Sequence, residues 1–360
     1  MSVQTFVNTS VLGATIADST KAALEDAFWD CEGAQLDLAD INLNRYWNFY
    51  QSECAKALHG GGKHIATRTH HDVIECVRML RSGQERRAVK DHLRARLTAF
   101  HTNEDEILDN SIDLAASVLL MMNFCTYPYG FSGRRWLNWN NGASLQTLLH
   151  DFFGADAAAA ETRTDSVVKL EKIFTAHNLM RIAGLQVVWT DNMLDHLRLT
   201  DDDRRVHVFH HASFLEVQKH SPNCLLPCGL ADETLRTLAL LIPSSDPATR
   251  TWFTRQANYP DLDKRASRYR RLKTDDRQIE KFPFWRDRLL MLKQVFDEAQ
   301  PQSLSQWWYD RRNGVQWYTF WVAVLVLILT IVFGLIQSIE GGLQVYASFK
   351  ALEASAPQSR

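Results

Sequence analysis

The amino end carries no basic, apolar leader. MSVQTFVNTSVLGATIADSTKAALEDAF has neither a positive n-region nor a long hydrophobic core, so it does not read as a cleaved secretory signal. A dense cysteine framework is missing too. Cys31, Cys54, Cys76, Cys125, Cys224 and Cys228 are scattered over 360 residues, the usage of reduced thiols in the cytosol rather than of a small secreted domain. A net charge of −2 supplies no bulk field for a nucleic-acid partner, and none is expected. There is no nucleophile elbow, dinucleotide fingerprint or kinase signature, and no internal repeat. The triple glycine Gly60-Gly61-Gly62 before Lys63 fails as a phosphate-binding loop. That loop needs a glycine five residues before its Gly-Lys pair and a Ser or Thr after the lysine, where this chain has Ala57 and His64. These absences leave no catalytic residue and no cofactor to assign, and a non-enzymatic protein is expected.

What the sequence does contain is the run Trp317–Ile336, WYTFWVAVLVLILTIVFGLI, without one charge and with Thr319 and Thr330 as its clearly polar members. At about 1.5 Å per residue a helix of this length crosses a ~30 Å hydrocarbon core. Trp307, Trp308, Tyr309, Trp317, Tyr318 and Trp321 supply the aromatics of a headgroup layer at its front edge. Trp317, Tyr318, Trp321, Phe333 and Ile336 are taken as anchor residues, with the lipid bilayer as a partner. Arg311 and Arg312 precede the run, whereas Glu340 is the first charge after it and Lys350 comes later. The positive-inside rule then predicts a cytosolic body and a single-pass C-terminal anchor. The glycosylation sequon Asn8-Thr9-Ser10 would matter only for a lumenal body.

The predicted fold is mainly α: a helical soluble body with a small β-hairpin, then a stalk helix and one C-terminal transmembrane helix. Residues 1–20 read as a flexible amino end and 21–154 as a helical subdomain. Residues 165–300 read as an α plus minor β subdomain, 301–316 as a juxtamembrane aromatic segment, 317–337 as the transmembrane helix and 338–360 as a short tail. Within the first subdomain, Thr69 or His70 opens a helix through Arg81, and Gln84–Phe100 makes a strongly basic one, balanced by Glu104, Asp105 and Glu106. Leu108–Phe124 is too short for a span and carries Asp109 and Asp113, so it reads as a central core helix. Gly154–Thr164 is a small-residue linker. Leu197–Leu199 and Val206–Phe209 alternate around Asp201-Asp202-Asp203, the pattern of a hairpin with an acidic turn. Tyr259–Arg277 reads as a charged exposed loop, and Trp285–Gln300 as the amphipathic stalk helix (Leu289, Leu292, Val295, Phe296).

Candidate sites are few. His207 and His210 with Cys224 and Cys228 form two close pairs of zinc-ligand types, although Cys-Leu-Leu-Pro-Cys is an unusual knuckle. No metal is assigned on that basis. Asp191, Asp195 and His196 could form an acid/base group, but Thr190-Asp191-Asn192 also has the composition of a cap and turn. His70, His71, Glu75 and Cys76 lack the second histidine of the zinc-protease pattern. Trp136 and Trp139, in the Gly/Pro/Asn/Trp-rich loop of residues 125–142, and Trp189 with His211 are the partner-binding candidates.

Two stretches carry a resemblance. LQVVWTDNMLDHLRL with VHVFHHASFLE, and the block WWYDRRNGVQWYTFW leading into the anchor, resemble a set of filamentous-fungal membrane proteins without an assigned activity. The resemblance covers the C-terminal half and implies a fungal, single-pass protein; it supplies no catalytic residue. The layout is also a little similar to CorA-type magnesium channels. That family has two C-terminal membrane helices joined by a Gly-Met-Asn loop, whereas this chain has one, and its Arg312-Asn313-Gly314 lies before the anchor. The expectation is a membrane-anchored interaction or scaffold protein acting through protein partners or as a homo-oligomer. One alternative is an oligomeric channel or transport accessory using Gln337 and Glu340. Another is an accessory protein of a fungal secondary-metabolite pathway.

Overall fold

The computed structural model describes residues 16–30, 41–97, 102–124, 137–162, 168–256, 262–299 and 314–355. The chain divides into two compact units, Met1–Ala299 and Gln300–Arg360. The first is mainly helical. Its first half contains α1 (Asp18–Trp29), α2 (Asn44–Ala57), α3 (His70–Arg81), α4 (Arg86–Arg96), α5 (Glu104–Leu120) and α6 (Leu145–Thr162).

Local chemistry explains most of these elements. At α3, the Thr69 hydroxyl accepts from the Asp72 amide at 3.2 Å and the Asp72 carboxylate accepts from the Thr69 amide at 2.9 Å, a reciprocal cap that stops the helix unwinding. Helix α5 starts on Glu104, Asp105 and Glu106, which oppose its positive amino end. Leu108, Ile112, Ala115 and Leu119 bury it as the expected core helix. The acids that interrupt α5 face α4. Arg86 pairs with Asp109 at 3.2 Å and Asp113 at 2.6 Å, and Lys90 with Asp105 and Asp109. Arg94 takes Glu104 and Asp105, while Arg96 takes Asp72 and Glu75. The basic helix is thus neutralised within the body.

The second half contains α7 (Ala176–Arg181), β1 (Gln186–Thr190), β2 (Leu199–Thr200), β3 (Arg205–Phe209), α8 (Ala212–His220), α9 (Leu230–Leu241), α10 (Pro247–Gln256) and α11 (Arg286–Glu298). The expected hairpin is present as β2 and β3 across an acidic turn. Asp201, Asp202 and Asp203 all take left-handed backbone, φ 58, 54 and 60, which aspartate tolerates better than most residues. What the alternation does not reveal is the third strand. The sheet order is β1-β3-β2, with β3 parallel to β1 and antiparallel to β2.

Three expectations change. The linker Gly154–Thr164 is helix as far as Thr162 within α6, because its alanine run has the strongest helix propensity of any residue type. Tyr259–Arg277 is not a wholly exposed loop. Leu262, Asp263, Ala266 and Arg277 are buried, and the Arg277 guanidinium donates to the Leu170 carbonyl at 2.8 Å. The core also joins both halves: Tyr46 of α2 stacks on Phe214 of α8 with 8° between the planes, and the Ser221 hydroxyl donates to the Trp29 carbonyl.

The second unit is described from Gly314 to Ser355 as a single helix, α12, of 42 residues. It is long and apolar enough to cross a membrane, and Val322, Leu325, Ile328, Phe333 and Ile336 are exposed along it. The short tail expected after residue 337 is helix as well. Gly341 and Gly342 are not among the positive-φ glycines, and Ile339, Leu343 and Tyr346 keep one apolar side at helical spacing. At about 1.5 Å per residue α12 is roughly 63 Å long, twice the ~30 Å core of a bilayer.

Candidate functional site

Strands β1 and β3 run parallel with Thr190 opposite Phe209. Their carboxyl ends therefore deliver the next residues, Asp191 on one side and His210 and His211 on the other, to the same place. In open parallel sheets this end is where ligands are bound. Oδ1 of Asp191 lies 2.7 Å from Nε2 of His211 and 3.3 Å from Nε2 of His210. The two imidazoles stack with centroids 4.1 Å apart and are buried, whereas the Asp191 side chain is 56% exposed. Oδ1 takes both rings, which leaves Oδ2 without a partner among the described residues. Asp191 also lines a cavity of about 230 Å³ together with Phe49, Glu53, Lys56, Met121 and Met122.

The electrostatics assign the protons. The amide of Asp263 donates to Nδ1 of His210 at 3.3 Å, so neutral His210 carries its proton on Nε2 and faces Asp191 as a donor. Burial, with the neighbouring His210 second, pushes the His211 imidazole down to about 4. Burial alone would raise the Asp191 carboxyl, but the hydrogen bonds from His210 and His211 outweigh it and hold the group well below the usual carboxylate range. The result is a permanently ionised carboxylate clamped by two imidazoles. Neither Asp191 nor His211 titrates near neutrality, so neither is matched to general acid–base work at pH 7.

Asp191, His210 and His211 are also the single group of three or more metal-ligand side chains among the described residues, their donor atoms all within 4.8 Å of one another. A metal at Nε2 of His210 would need the lone pair that the Asp263 bond places on Nδ1 instead. The geometry fits the clamp better than a coordination site.

The other sequence candidates go elsewhere. Asp195 pairs with Arg198 at 2.6 Å. His196 is fully buried: Nδ1 accepts from the Phe209 amide, Nε2 lies 2.7 Å from the Thr237 hydroxyl, and burial pushes its imidazole down to about 3. Of the zinc-type residues, His207 bonds Thr200, Cys224 donates to Gln218, and Cys228 is an exposed free thiol. The structure does not assemble them with His210. Trp139 packs on Phe124 and under the Arg86 guanidinium, with its indole N–H on the Ala143 carbonyl. Trp189 lies edge-on to Phe253 and His210. Trp136 falls outside the described residues. Two features escape sequence reasoning: the joining of Asp191 to His210 and His211, and the role of Asp263. The one available signal for the second was the polar cap pattern Asp263-Lys264-Arg265 inside a basic stretch. The chain matches no family model, no curated protein and no solved structure.

Proposed function

We propose that this chain is a membrane-anchored, non-enzymatic interaction protein whose body lies in the cytosol. The observation that carries the reading is α12, whose apolar side chains are exposed from Val322 through Leu352. A surface of that size in water would drive aggregation, and a bilayer is the solvent that accommodates it. Trp317, Tyr318 and Trp321 mark its headgroup end, with Phe333 and Ile336 in the apolar core. The body would engage a protein partner at the Asp191 pocket, where an ionised carboxylate beside Phe49 and Met121 suits a Lys or Arg side chain flanked by apolar contacts. The resemblance to fungal single-pass proteins agrees with this layout. The test is alkaline carbonate extraction of the full chain and of a chain ending at Ala299. The full chain is expected in the pellet and the truncated one in the supernatant; release of both ends the reading.

A second reading has its own support. Thr330, Gly334, Gln337, Gly341 and Gln344 recur at spacings of three and four along α12, one polar and small-residue line on an otherwise apolar helix. Such a line, with Glu340 one turn from Gln337, suits an oligomeric channel or transport accessory. One helix cannot enclose a pore, so a monomeric mass of the detergent complex, corrected for bound detergent, would remove it.

A further inference from the structure

A second cavity, of about 280 Å³, lies on the body where the amino end of α2 meets the turn Lys264–Ser267. Its wall includes Asn42, Arg45, Asp263, Lys264, Arg265 and Arg268. Four cationic side chains thus face one carboxylate, and that carboxylate is already committed. Asp263 is buried, with one oxygen accepting from the Ser213 amide at 2.6 Å and the other from the Arg265 amide at 2.9 Å. Arg45, Lys264 and Arg268 form no ion pair with a carboxylate of the described residues. Lys264 and Arg268 stand one turn apart, held there by the Asp263 cap.

Helix α2 adds an independent preference for negative charge. Its N-cap is Leu43, which offers no side-chain acceptor, although the Asn42 side-chain oxygen takes the Asn44 amide at 2.9 Å; its first turn has no acid but does carry Arg45. The first amides of a helix lack intrahelical acceptors and bear partial positive charge, so a cation there opposes the helix dipole. Three cations without a carboxylate partner among the described residues and an acid-free helix start are thus gathered on one cavity, a local positive field that attracts an anion.

We propose that this pocket binds a phosphomonoester carried on a small polyol, either free or as the headgroup of an anionic lipid. A phosphate monoester brings close to two negative charges and three acceptor oxygens, which matches the arginine forks and the positive end of the helix. A single carboxylate would leave most of the charge uncompensated. The volume is just under the roughly 300 Å³ at which small-molecule sites begin, which excludes a nucleic-acid chain and suits one compact group. The exposed side chains of Asn42 and Asn44 also line the cavity, and their amide nitrogens are neutral donors for polyol hydroxyls. This proposal does not depend on α12 crossing a membrane.

The experiment uses the full chain in non-ionic detergent, titrated with glycerol 3-phosphate by calorimetry. It also uses the full chain in lipid nanodiscs of phosphatidylcholine, with or without phosphatidic acid, probed by limited proteolysis at the Lys264–Arg271 basic run. Binding of glycerol 3-phosphate supports a free ester; protection that needs phosphatidic acid supports the lipid source. In either arm Lys264→Glu with Arg268→Glu, and separately Arg45→Met, should weaken the effect by about tenfold or more, while Arg87→Glu on α4 leaves it unchanged. Matching melting curves show that the variants fold. No response to either probe, or a response equal in the pocket variants and Arg87→Glu, overturns the proposal.

Discussion

The backbone amide of Asp263 donates to Nδ1 of His210 at 3.3 Å, while the carboxylate of the same residue accepts the amides of Ser213 and Arg265. One buried residue therefore sets the proton on the imidazole that faces Asp191 and also shapes the basic turn. The two cavities of the body share this hinge of hydrogen bonds.

Replacing Asp263 by Ala removes an acceptor from the buried Ser213 amide and the half-buried Arg265 amide at once. A loss of about 2–3 kcal/mol is expected, with a smaller loss for Asn, which keeps one acceptor. Urea denaturation followed by tryptophan fluorescence reads both; equal stability of the Ala variant and the wild type contradicts the cap.

At the clamp, Asp191 lifts the His211 imidazole against burial. Asp191→Asn should therefore lower the His211 value below about 4, not return it toward 6.5. An NMR titration of ring-labelled histidine decides the sign, and an upward move rejects the geometry.

Stability should depend on pH through buried groups of opposite sense. His196 and His211, held near 3 and 4, stay neutral in the fold while the unfolded chain protonates them. Their contribution is lost as pH falls from about 6.5 toward about 4, at about 1.4 kcal/mol per unit for each proton. Glu233 acts the other way. Burial raises its carboxyl to about 7 despite the Phe284 and Trp285 amides that bond it. Its contribution is full below about 4.5 and is lost as pH rises through about 7. Glu233→Gln removes this opposition, so its acid-side slope should exceed that of the wild type by up to about 1.4 kcal/mol per unit. Melting temperatures across that window check it; an unchanged or shallower slope counts against the assignment.

Arg86 is 7% exposed in its side chain and holds both Asp109 and Asp113. Arg86→Ala would strand the half-buried Asp113 carboxylate and uncover Trp139, at a cost of about 3 kcal/mol. Replacing Arg86 and Asp113 together by Met and Leu should recover part of that loss. A double variant no more stable than the single one would mean that the pair is not coupled.

Much of the fold is legible in the residues alone, wherever neighbours in sequence carry the cause. Thr69 and Asp72 are close enough in the chain to cap α3 by themselves, and the acids of α5 follow the bases of α4 closely enough in the chain to answer them. The uncharged run after Trp317 needs no tertiary context to be helical and apolar, so residue order alone accounts for the apolar first half of α12, the core helix and the β2–β3 hairpin, but not for the continuation of α12 to Ser355. The alanines of α6 read as a linker on their small size, whereas their helix propensity carries the helix to Thr162.

The site was decided elsewhere. Asp191 meets His210 and His211 because β1 lies parallel to β3 with Thr190 opposite Phe209, and strand partner and register are settled by burial over many residues rather than by any local pattern. Asp263 lies some fifty residues beyond His210 and reaches it by the packing of its turn on α8. Arg45 joins Lys264 and Arg268 across most of the body. Residue types named the available chemistry; only the tertiary structure chose which groups share one space, because that choice depends on long-range packing.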